Sequence, residues 1–499
     1  MGTIFQQKDQ NLASDIQGPL SPRKRRLNAW LILLLFTLSL RVISILNCEL
    51  SIHDTARVAG IAREMVFTGD YFIPRLNGQN FLEYPSLGYL PIALSLGTSE
   101  HPSDFLAILP IALLGTATVF LTFLIGKTLA DERVGLAAGF FVATMSGFFI
   151  LHRRCLVDPT LLFFTTLSLY GFIAGTQATG KRFRFFAVFY LAMAGAFLSK
   201  GLIGIAIPVG TAVVFLIARK DFAAVRRLYL GRGTLLFLLP ILLWVAGVWW
   251  LEGSGVIKEV IQQSVRRFLS PTAEHANPFY YYVGPVLGNT LPWMPLPLIW
   301  LWYRRKYPSK GLFAHDSLAI FCLVWFLIVF VGLSVASAKR SIYLGPIYPP
   351  VALLAALAWV GLRDKFSIVK GREIYILLGI FLIFVGVHFF GLLPSENKYS
   401  FRPFFETVRS QRKNEAVYLT PSRESLLGAA VFYLGKRVPI LDNPKALPED
   451  IENPSERVFV INLSPGNDDL IAAFQSKGFH LLLQKKIGQQ WMQLYSNRS

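Results

Sequence analysis

The sequence predicts a mostly α-helical membrane protein that crosses the bilayer many times and ends in a small α/β domain. Of its 499 residues, 53% are hydrophobic and only 16% are charged. Soluble domains carry about 25% charged residues, so most of this chain has little surface for water. Apolar runs of roughly 20 residues, long enough to cross a bilayer as helices, recur along the chain.

These apolar runs define eleven candidate spans. The first follows the basic cluster Arg23–Arg26 and is too long for the core of a cleaved signal peptide, which predicts a signal anchor. Residues 84–98 are also apolar, but the segment is short and includes two prolines, so we expect it to be interfacial or re-entrant. The predicted spans are 28–47, 105–126, 135–151, 159–177, 185–199, 202–218, 234–251, 281–302, 316–335, 344–362 and 373–393.

Positive charge is concentrated in alternate loops, and this pattern predicts the orientation of the chain. Loops rich in lysine and arginine face the cytoplasm, which makes residues 1–27 a cytoplasmic basic tail. The formal net charge of +19 is then explained by the topology of the chain and by contact with anionic membrane lipids, and it does not indicate nucleic acid binding. We expect a location in the cytoplasmic (inner) membrane, with the loop 48–104 on the periplasmic or extracellular side.

The last part of the chain, residues 394–499, has a different character. Short runs typical of strands, such as 416–421 and 457–464, alternate with helical patterns such as 424–436. With eleven spans and the N-terminus inside, this α/β domain is expected outside. The three cysteines of the chain fit no metal-binding spacing, so free thiols are expected.

Polar side chains that could carry chemistry cluster in the loops predicted to be external. A face that presents acids, bases and a histidine at the membrane boundary indicates a catalytic site for a lipid-borne substrate. The candidates come from five separate connections and are Asp54, Arg57, Glu83, Arg153, Arg154, Asp158, Lys200, His275, Lys339, Arg340 and Tyr343.

Two of the acids also have a structural interpretation. Asp54 precedes an amphipathic pattern that includes Val58 and Ile61, so it fits the N-cap of a helix whose apolar face lies on the membrane. Asp158 precedes Pro159 and fits the N-cap of the next apolar helix. Capping and catalysis are compatible for Asp54, and both interpretations stay open at this point.

Several segments, taken in order, resemble one family. The stretch "HDTARVAGIAREMVFTGDYFIPRLNGQNFLEYPSLGY" resembles the first external loop of the GT-C membrane glycosyltransferases, closest to the ArnT-like aminoarabinose transferases of lipid A and the protein O-mannosyltransferases (PMT). The segments "VDP", "LSKG", "EHANPFYYYVGPVLGNTLPW" and "SAKRSIYLGPIYPPVALL" follow in the family's order. The resemblance covers residues 28 to about 362. It implies a GT-C fold of about 11–13 transmembrane helices, with residues 28–393 as the transmembrane catalytic domain.

The resemblance also implies an inverting glycosyltransferase that moves a sugar from a polyprenyl-phosphate donor to a lipid, glycan or protein acceptor at the outer face. Asp54 would be the catalytic carboxylate, with Asp158 as a second carboxylate at the site. Glu83 and His275 match a pair that holds a zinc ion in the aminoarabinose transferase, so a divalent metal is implied there. The donor phosphate would be bound by Arg57, Lys200, Lys339, Arg340 and Tyr343.

The sequence departs from the family pattern at two positions. Thr55 replaces a second acid beside Asp54, and Tyr84 replaces the lysine that usually follows Glu83, which removes one phosphate contact. The rival function is a transporter or flippase of lipid-linked sugars. Such proteins place polar groups near the midplane of the membrane, whereas the candidates here cluster at one boundary.

Overall fold

The computed structural model describes residues 22–51, 54–256, 258–259, 262, 277–306, 316–366, 373–412, 415–442, 448, 451, 457–464 and 468–498. In this part of the chain, seven helical segments are long and apolar enough to cross a membrane. Each coincides with a predicted span, which confirms a mostly α, polytopic fold. The seven are Asp104–Leu129, Asp158–Gln177, Arg182–Lys200, Leu230–Glu252, Asp316–Val335, Ser341–Arg363 and Tyr375–Asn397.

The helices are numbered in chain order. They are α1 (Pro22–Ile45), α2 (Asp54–Thr68), α3 (Leu90–Leu96), α4 (Asp104–Leu129), α5 (Glu132–Ala143), α6 (Ser146–Leu151), α7 (Asp158–Gln177), α8 (Arg182–Lys200), α9 (Ile203–Ala218), α10 (Leu230–Glu252), α11 (Val283–Asn289), α12 (Pro295–Lys306), α13 (Asp316–Val335), α14 (Tyr348–Phe366), α15 (Glu373–Gly386), α16 (Leu393–Asn397), α17 (Arg402–Gln411), α18 (Glu424–Leu434) and α19 (Asp468–Ser476). Short 3₁₀ turns lie at Ser86–Gly88, Phe222–Arg227 and Ser341–Ile347, and a π-helical turn at Val387–Leu392 joins α15 to α16.

Two predicted spans, 135–151 and 281–302, are each broken into two shorter helices, α5 with α6 and α11 with α12. A break frees backbone groups that lipid cannot hydrogen-bond. The two breaks satisfy each other: the backbone N–H of Ser146 donates to the carbonyl of Leu291 at 3.0 Å, and the indole N–H of Trp293 donates to the hydroxyl of Thr144 at 2.9 Å. The irregular backbone is therefore held within the helix bundle.

The loop at residues 48–104, called here the first long loop, folds over one end of the bundle. It contains α2, a small antiparallel hairpin of β1 (Arg75–Leu76) and β2 (Gln79–Asn80), and α3. Helix α3 has only seven residues, about 10 Å of helix, which is too short to cross a bilayer. This agrees with the prediction that residues 84–98 do not span.

Helix α2 is covered by protein on two sides. The predicted apolar face, which includes Val58, Ile61 and Met65, is at most 3% exposed and belongs to a core shared with α3 and α4. The opposite face packs against α18 of the C-terminal domain, with Gly60 against Gly428. The prediction that this helix rests its apolar face on the membrane was therefore wrong, because that face is buried within the protein.

The C-terminal domain is built on a four-stranded sheet. Its strands are β3 (Ala416–Leu419), β4 (Val458–Ser464), β5 (His480–Ile487) and β6 (Gln490–Ser496), in the order β3-β4-β6-β5. Only β3 and β4 are parallel. Apolar side chains from α17, α18 and this sheet join the core of the first long loop, so the domain and the loop fold against each other.

Candidate functional site

A polar cleft opens between the first long loop and the ends of three membrane helices. The atom-free space between its lining residues, open solvent included, is about 310 Å³. Asp158 begins α7, Lys200 ends α8, and Arg340 directly precedes the Ser341–Arg363 segment, so these three apolar segments end at the cleft. The lining residues are Asp54, Arg57, Val58, Tyr84, Tyr89, Leu156, Val157, Asp158, Lys200, Arg340, Ile342 and Tyr343.

Asp54 is the first residue of α2, and its carboxylate lies between two guanidinium groups. Arg57, one turn further along the helix, donates to Oδ1 at 3.0 Å, and Arg340 contacts Oδ2 at 2.5 Å. Burial by itself would raise the pKa of Asp54, but the charges of Arg57 and Arg340 outweigh it and hold the pKa below its usual value. Asp54 is therefore ionised at neutral pH and accepts hydrogen bonds only.

Arg57 is held from several directions. Its Nη2 atom faces Asp54 and lies 3.9 Å from a carboxylate oxygen of Glu83, while Nη1 contacts Glu424 at 2.6 Å. The guanidinium also lies 5.2 Å from the ring centre of Phe81. Its side chain is only 16% exposed, so the orientation of this cation is fixed by contacts from both the first long loop and the C-terminal domain.

A second ion pair forms the opposite wall of the cleft. Lys200 contacts the carboxylate of Asp158, and both side chains are 9% exposed. The ammonium lies 4.3 Å from the ring centre of Tyr343 and 5.3 Å from that of Tyr84. Asp158 was predicted to cap α7, but Val157 occupies the cap position and the Asp158 carboxylate is paired with Lys200 instead.

An apolar groove adjoins the cleft, and Tyr84 contributes to both. The groove lies between the first long loop and α10, and the atom-free space along it, open solvent included, is about 240 Å³. Burial raises the pKa of the Tyr84 hydroxyl, so it stays neutral at physiological pH. The other lining residues are Phe72, Ile73, Pro74, Leu82, Pro85, Trp244 and Val248.

Six of the nine predicted site residues line the cleft, two described ones do not, and the ninth lies outside the described residues. Lys339 turns away, because its ammonium donates to the backbone carbonyl of Ala336 at 2.6 Å. Glu83 lies beside Arg57 without reaching the lining. His275 lies outside the described residues.

The other two basic candidates from the loops serve a different contact. Arg153 and Arg154 both bind Glu396, at 2.6 and 2.8 Å, and Arg153 is buried. This cluster ties the connection between α6 and α7 to α16. Arg153 and Arg154 are therefore structural in this chain, and they do not line the cleft.

Sequence reasoning missed Glu424 and Tyr89. Tyr89 is buried beneath the cleft and carries no charge that would mark it. Glu424 lies in a different domain, far along the chain from Arg57, and nothing local distinguishes it from other acids in a first helical turn. Only the packing of α18 against α2 brings it to the site.

The described residues include one of the two predicted zinc ligands, Glu83. Among them, no three His, Cys, Asp or Glu side chains lie together in a way that could hold a metal. Glu83, the one described member of the predicted pair, has the guanidinium of Arg57 as a neighbour, and a cation there disfavours a second cation. The three cysteines are buried free thiols, as expected.

Comparisons with known proteins agree with this architecture. A family model described as dolichyl-phosphate-mannose-protein mannosyltransferase (PMT) matches residues 77–249. An undecaprenyl phosphate-alpha-4-amino-4-deoxy-L-arabinose arabinosyl transferase 2 from Proteus mirabilis is 28% identical over 74% of this chain and 65% of its own length. An undecaprenyl phosphate-alpha-4-amino-4-deoxy-L-arabinose arabinosyl transferase from Shewanella sediminis is 26% identical over 82% of this chain and 75% of its own length.

A solved structure shows the fold. The crystal structure of ArnT from Cupriavidus metallidurans bound to undecaprenyl phosphate superposes with a TM-score of 0.77 at 17% identity. It covers 94% of this chain and 98% of that chain. The similarity therefore extends into the C-terminal domain, where the sequence resemblance is weak, and it confirms the predicted GT-C fold.

Proposed function

We propose that this chain, a member of the ArnT-like branch of the GT-C glycosyltransferases, transfers a sugar from a polyprenyl-phosphate donor to an acceptor hydroxyl with inversion at the anomeric carbon. The single observation that carries the proposal is the cleft at the ends of three membrane helices, where cations and carboxylates face each other beside an apolar groove. A lipid-linked sugar phosphate combines the two chemistries that this arrangement accommodates.

The charge of the cleft suits the donor phosphate. The lining holds three cations, Arg57, Lys200 and Arg340, beside two carboxylates, Asp54 and Asp158. A sugar–phosphate–lipid diester carries one negative charge, which guanidinium and ammonium groups bind through charge-assisted hydrogen bonds. The leaving polyprenyl phosphate gains charge as the bond breaks, and fixed cations in a site that excludes water stabilise that charge.

Asp54 is the proposed general base. It accepts the proton of the acceptor hydroxyl while the oxygen attacks the anomeric carbon from the face opposite the phosphate. Arg57 and Arg340 contact its carboxylate in the structure and weaken it as a base. A donor phosphate would draw these guanidinium groups toward itself, so the basicity of Asp54 would rise when the donor is in place.

The apolar groove is the proposed seat of the first part of the lipid. It shares Tyr84 with the cleft, and Trp244 and Val248 of α10 form its outer wall. A phosphate head in the cleft and an isoprenoid tail along the groove would leave the sugar facing the first long loop. Tyr84 would then separate the charged from the apolar part of the donor.

The proposal includes the location and the partners. The basic loops favour the inner membrane with a cytoplasmic N-terminus, which puts the cleft and the C-terminal domain on the periplasmic or extracellular side. The acceptor is a lipid, a glycan or a protein. Zinc at Glu83 and His275 stays a prediction from the family resemblance, checked by metal analysis of the purified protein, and no step above passes through it.

The test is label transfer in membranes that contain the protein, with a radiolabelled sugar on polyprenyl phosphate. Asp54→Asn is expected to lower transfer by at least about 100-fold, since general-base catalysis contributes on the order of 10² to 10⁴ in rate. Asp469→Asn, which changes an exposed aspartate of the C-terminal domain, is the matched control and should transfer at the parental rate.

Two results would contradict this assignment. If Asp54→Asn transfers label at the parental rate, Asp54 is not the base. If the parental chain moves the labelled lipid across the bilayer without transferring sugar, the chain is a flippase.

A further inference from the structure

We propose that Glu424 of the C-terminal domain is a positioning residue for the donor site, which acts by fixing the orientation of Arg57. This role rests on the proposed function, because Arg57 matters for transfer only if it binds the donor phosphate. It gives the C-terminal domain a direct part in substrate binding.

The guanidinium of Arg57 contacts carboxylates from two parts of the chain, the C-terminal domain and the first long loop. The Nη1 atom contacts Glu424 at 2.6 Å, and the Nη2 atom donates to Asp54 at 3.0 Å. A guanidinium is a rigid plane, so holding both ends fixes the direction of its remaining surface. Phe81, with its ring centre 5.2 Å away, restrains the plane from the side. Arg57 is therefore presented to the cleft in one orientation.

The helix that carries Glu424 has little freedom to move. Helices α18 and α2 cross at Gly428 and Gly60, and a Cβ atom added to Gly428 would lie only 2.5 Å from the Cα atom of Arg57. Glu424 is one turn from Gly428, and Arg57 is one turn from Gly60. The ion pair of Glu424 with Arg57 therefore lies within one helical turn of the point where the two backbones touch. This close crossing fixes the geometry of the pair.

Glu424 itself is poorly placed to serve stability. Its side chain is 53% exposed, and an ion pair with one exposed partner contributes little to the free energy of folding. Its partner is a cleft residue that is only 16% exposed. Without Glu424, Nη1 loses its anchor and Arg57 can turn toward Asp54 or Glu83, away from the direction of an incoming phosphate. The loss would therefore appear in donor binding more than in folding.

The experiment compares the parental protein with three variants. Glu424→Ala removes the contact, and Glu424→Gln keeps an oxygen that accepts from Nη1. Glu406→Ala removes a similarly exposed acid of α17, which pairs with Arg402 of its own helix. Two measurements are made on each: sugar transfer against the concentration of the lipid-linked donor, and direct binding of undecaprenyl phosphate.

We expect Glu424→Ala to raise the KM for the donor by about 5-fold to 10-fold, with kcat within about 2-fold of the parental value, and to weaken undecaprenyl phosphate binding by a similar factor. Glu424→Gln should recover most of the loss, and Glu406→Ala should match the parental protein. In an Arg57→Ala background, Glu424→Ala should have no further effect, because the two residues act as a unit.

An unchanged KM in Glu424→Ala, or the same loss in the presence and absence of Arg57, would overturn the positioning role. These results differ from failure of the proposed function, in which the parental protein and Glu406→Ala transfer no sugar at all. In that case undecaprenyl phosphate binding still decides the role of Glu424. If the Glu424 variants bind it as the parental protein does, the inference is wrong.

Discussion

The carboxylate of Asp54 lies between Arg57 and Arg340, so its protonation depends on both cations. Lys200, across the cleft, adds a further positive charge that acts at longer range. The sequence placed Asp54 at the start of a helix, where the helix dipole favours a negative charge. The structure adds the guanidinium groups, and these are the same groups that a phosphate would recruit.

Arg340→Gln should move the pH dependence of transfer. Arg340 stabilises the charged form of Asp54, so its loss raises the pKa of that carboxyl toward its usual value. A general base acts only when deprotonated, so the acid limb of kcat/KM against pH is expected to move to higher pH. Arg409→Gln, on the exposed side of α17, is the matched control and should leave the profile unchanged. An acid limb that stays in place, or moves to lower pH, would contradict the pairing of Arg340 with Asp54.

Tyr84 departs from the family pattern, yet the other cations of the cleft are present. The lysine it replaces would have added a cation to the cleft. In this chain Lys200 remains, and the rings of Tyr84 and Tyr343 lie 5.3 and 4.3 Å from its ammonium. The proposed phosphate site therefore keeps cations from three other elements, and Tyr84 provides instead a neutral wall shared with the apolar groove.

At the scale of elements, the contact between α2 and α18 joins the first long loop to the C-terminal domain. Neither helix reveals this from its own sequence, because Gly60 and Gly428 look like weak points in amphipathic helices. In the structure they allow backbone contact, since a Cβ atom on either residue would lie about 2.5 Å from the other helix. The close crossing is what brings Glu424 within reach of Arg57.

Gly428→Ala should therefore destabilise this contact. A methyl group there would meet the carbonyl oxygen of Ala56 at 2.5 Å, and backbone cannot give way as a flexible side chain can. Overpacking of this kind costs about 1–3 kcal/mol. We expect a lower melting temperature in detergent and weaker donor binding.

Gly379→Ala is the matched control for that substitution. Gly379 is also inside a helix, but no atom lies within 4 Å of the added Cβ position. This variant should keep the parental melting temperature. Equal stability of the Gly428→Ala and Gly379→Ala proteins would show that the helices are not in close contact.

At the scale of the whole molecule, one hydrophobic core runs from the first long loop into the C-terminal domain. It includes Ile61 and Ile92 from the loop, and Phe404, Leu426 and Phe459 from the domain, each nearly inaccessible to solvent. The domain thus covers the first long loop and shares a core with it.

A chain that ends after Lys398 should therefore fail to fold correctly and to transfer sugar, although it retains every predicted span. Removing the domain exposes the apolar residues of α2 that it covers, and exposed apolar patches of this size promote aggregation. We expect the truncated protein to be polydisperse in detergent by size-exclusion chromatography and to transfer no sugar. A monodisperse truncated protein with parental transfer would show that the loop folds without the domain.

Local sequence patterns were sufficient to predict most of the elements. The length of each apolar run predicts whether it crosses a bilayer, because the transfer of a segment into lipid depends on a sum over its own residues. The strands β3 and β4 were predicted in the same way from the runs 416–421 and 457–464. Strand β6 was missed, because its polar residues Gln490, Gln493 and Ser496 recur at every third position and do not give the alternation typical of a strand. The ordered motifs of the first long loop and of three later segments identified six residues that the structure brings to one cleft.

What the sequence determined by itself was the membrane-spanning fold, the resemblance to one family and the set of candidate polar residues, because these depend on residue type and local order. The tertiary structure decided which of these residues share the cleft. In the folded protein Lys339 donates to a backbone carbonyl, Arg340 pairs with Asp54, and Glu424 contacts Arg57. The physical reason is that a charge at a loop is free to face several partners, and only the packing of helices distant in the chain selects one of them.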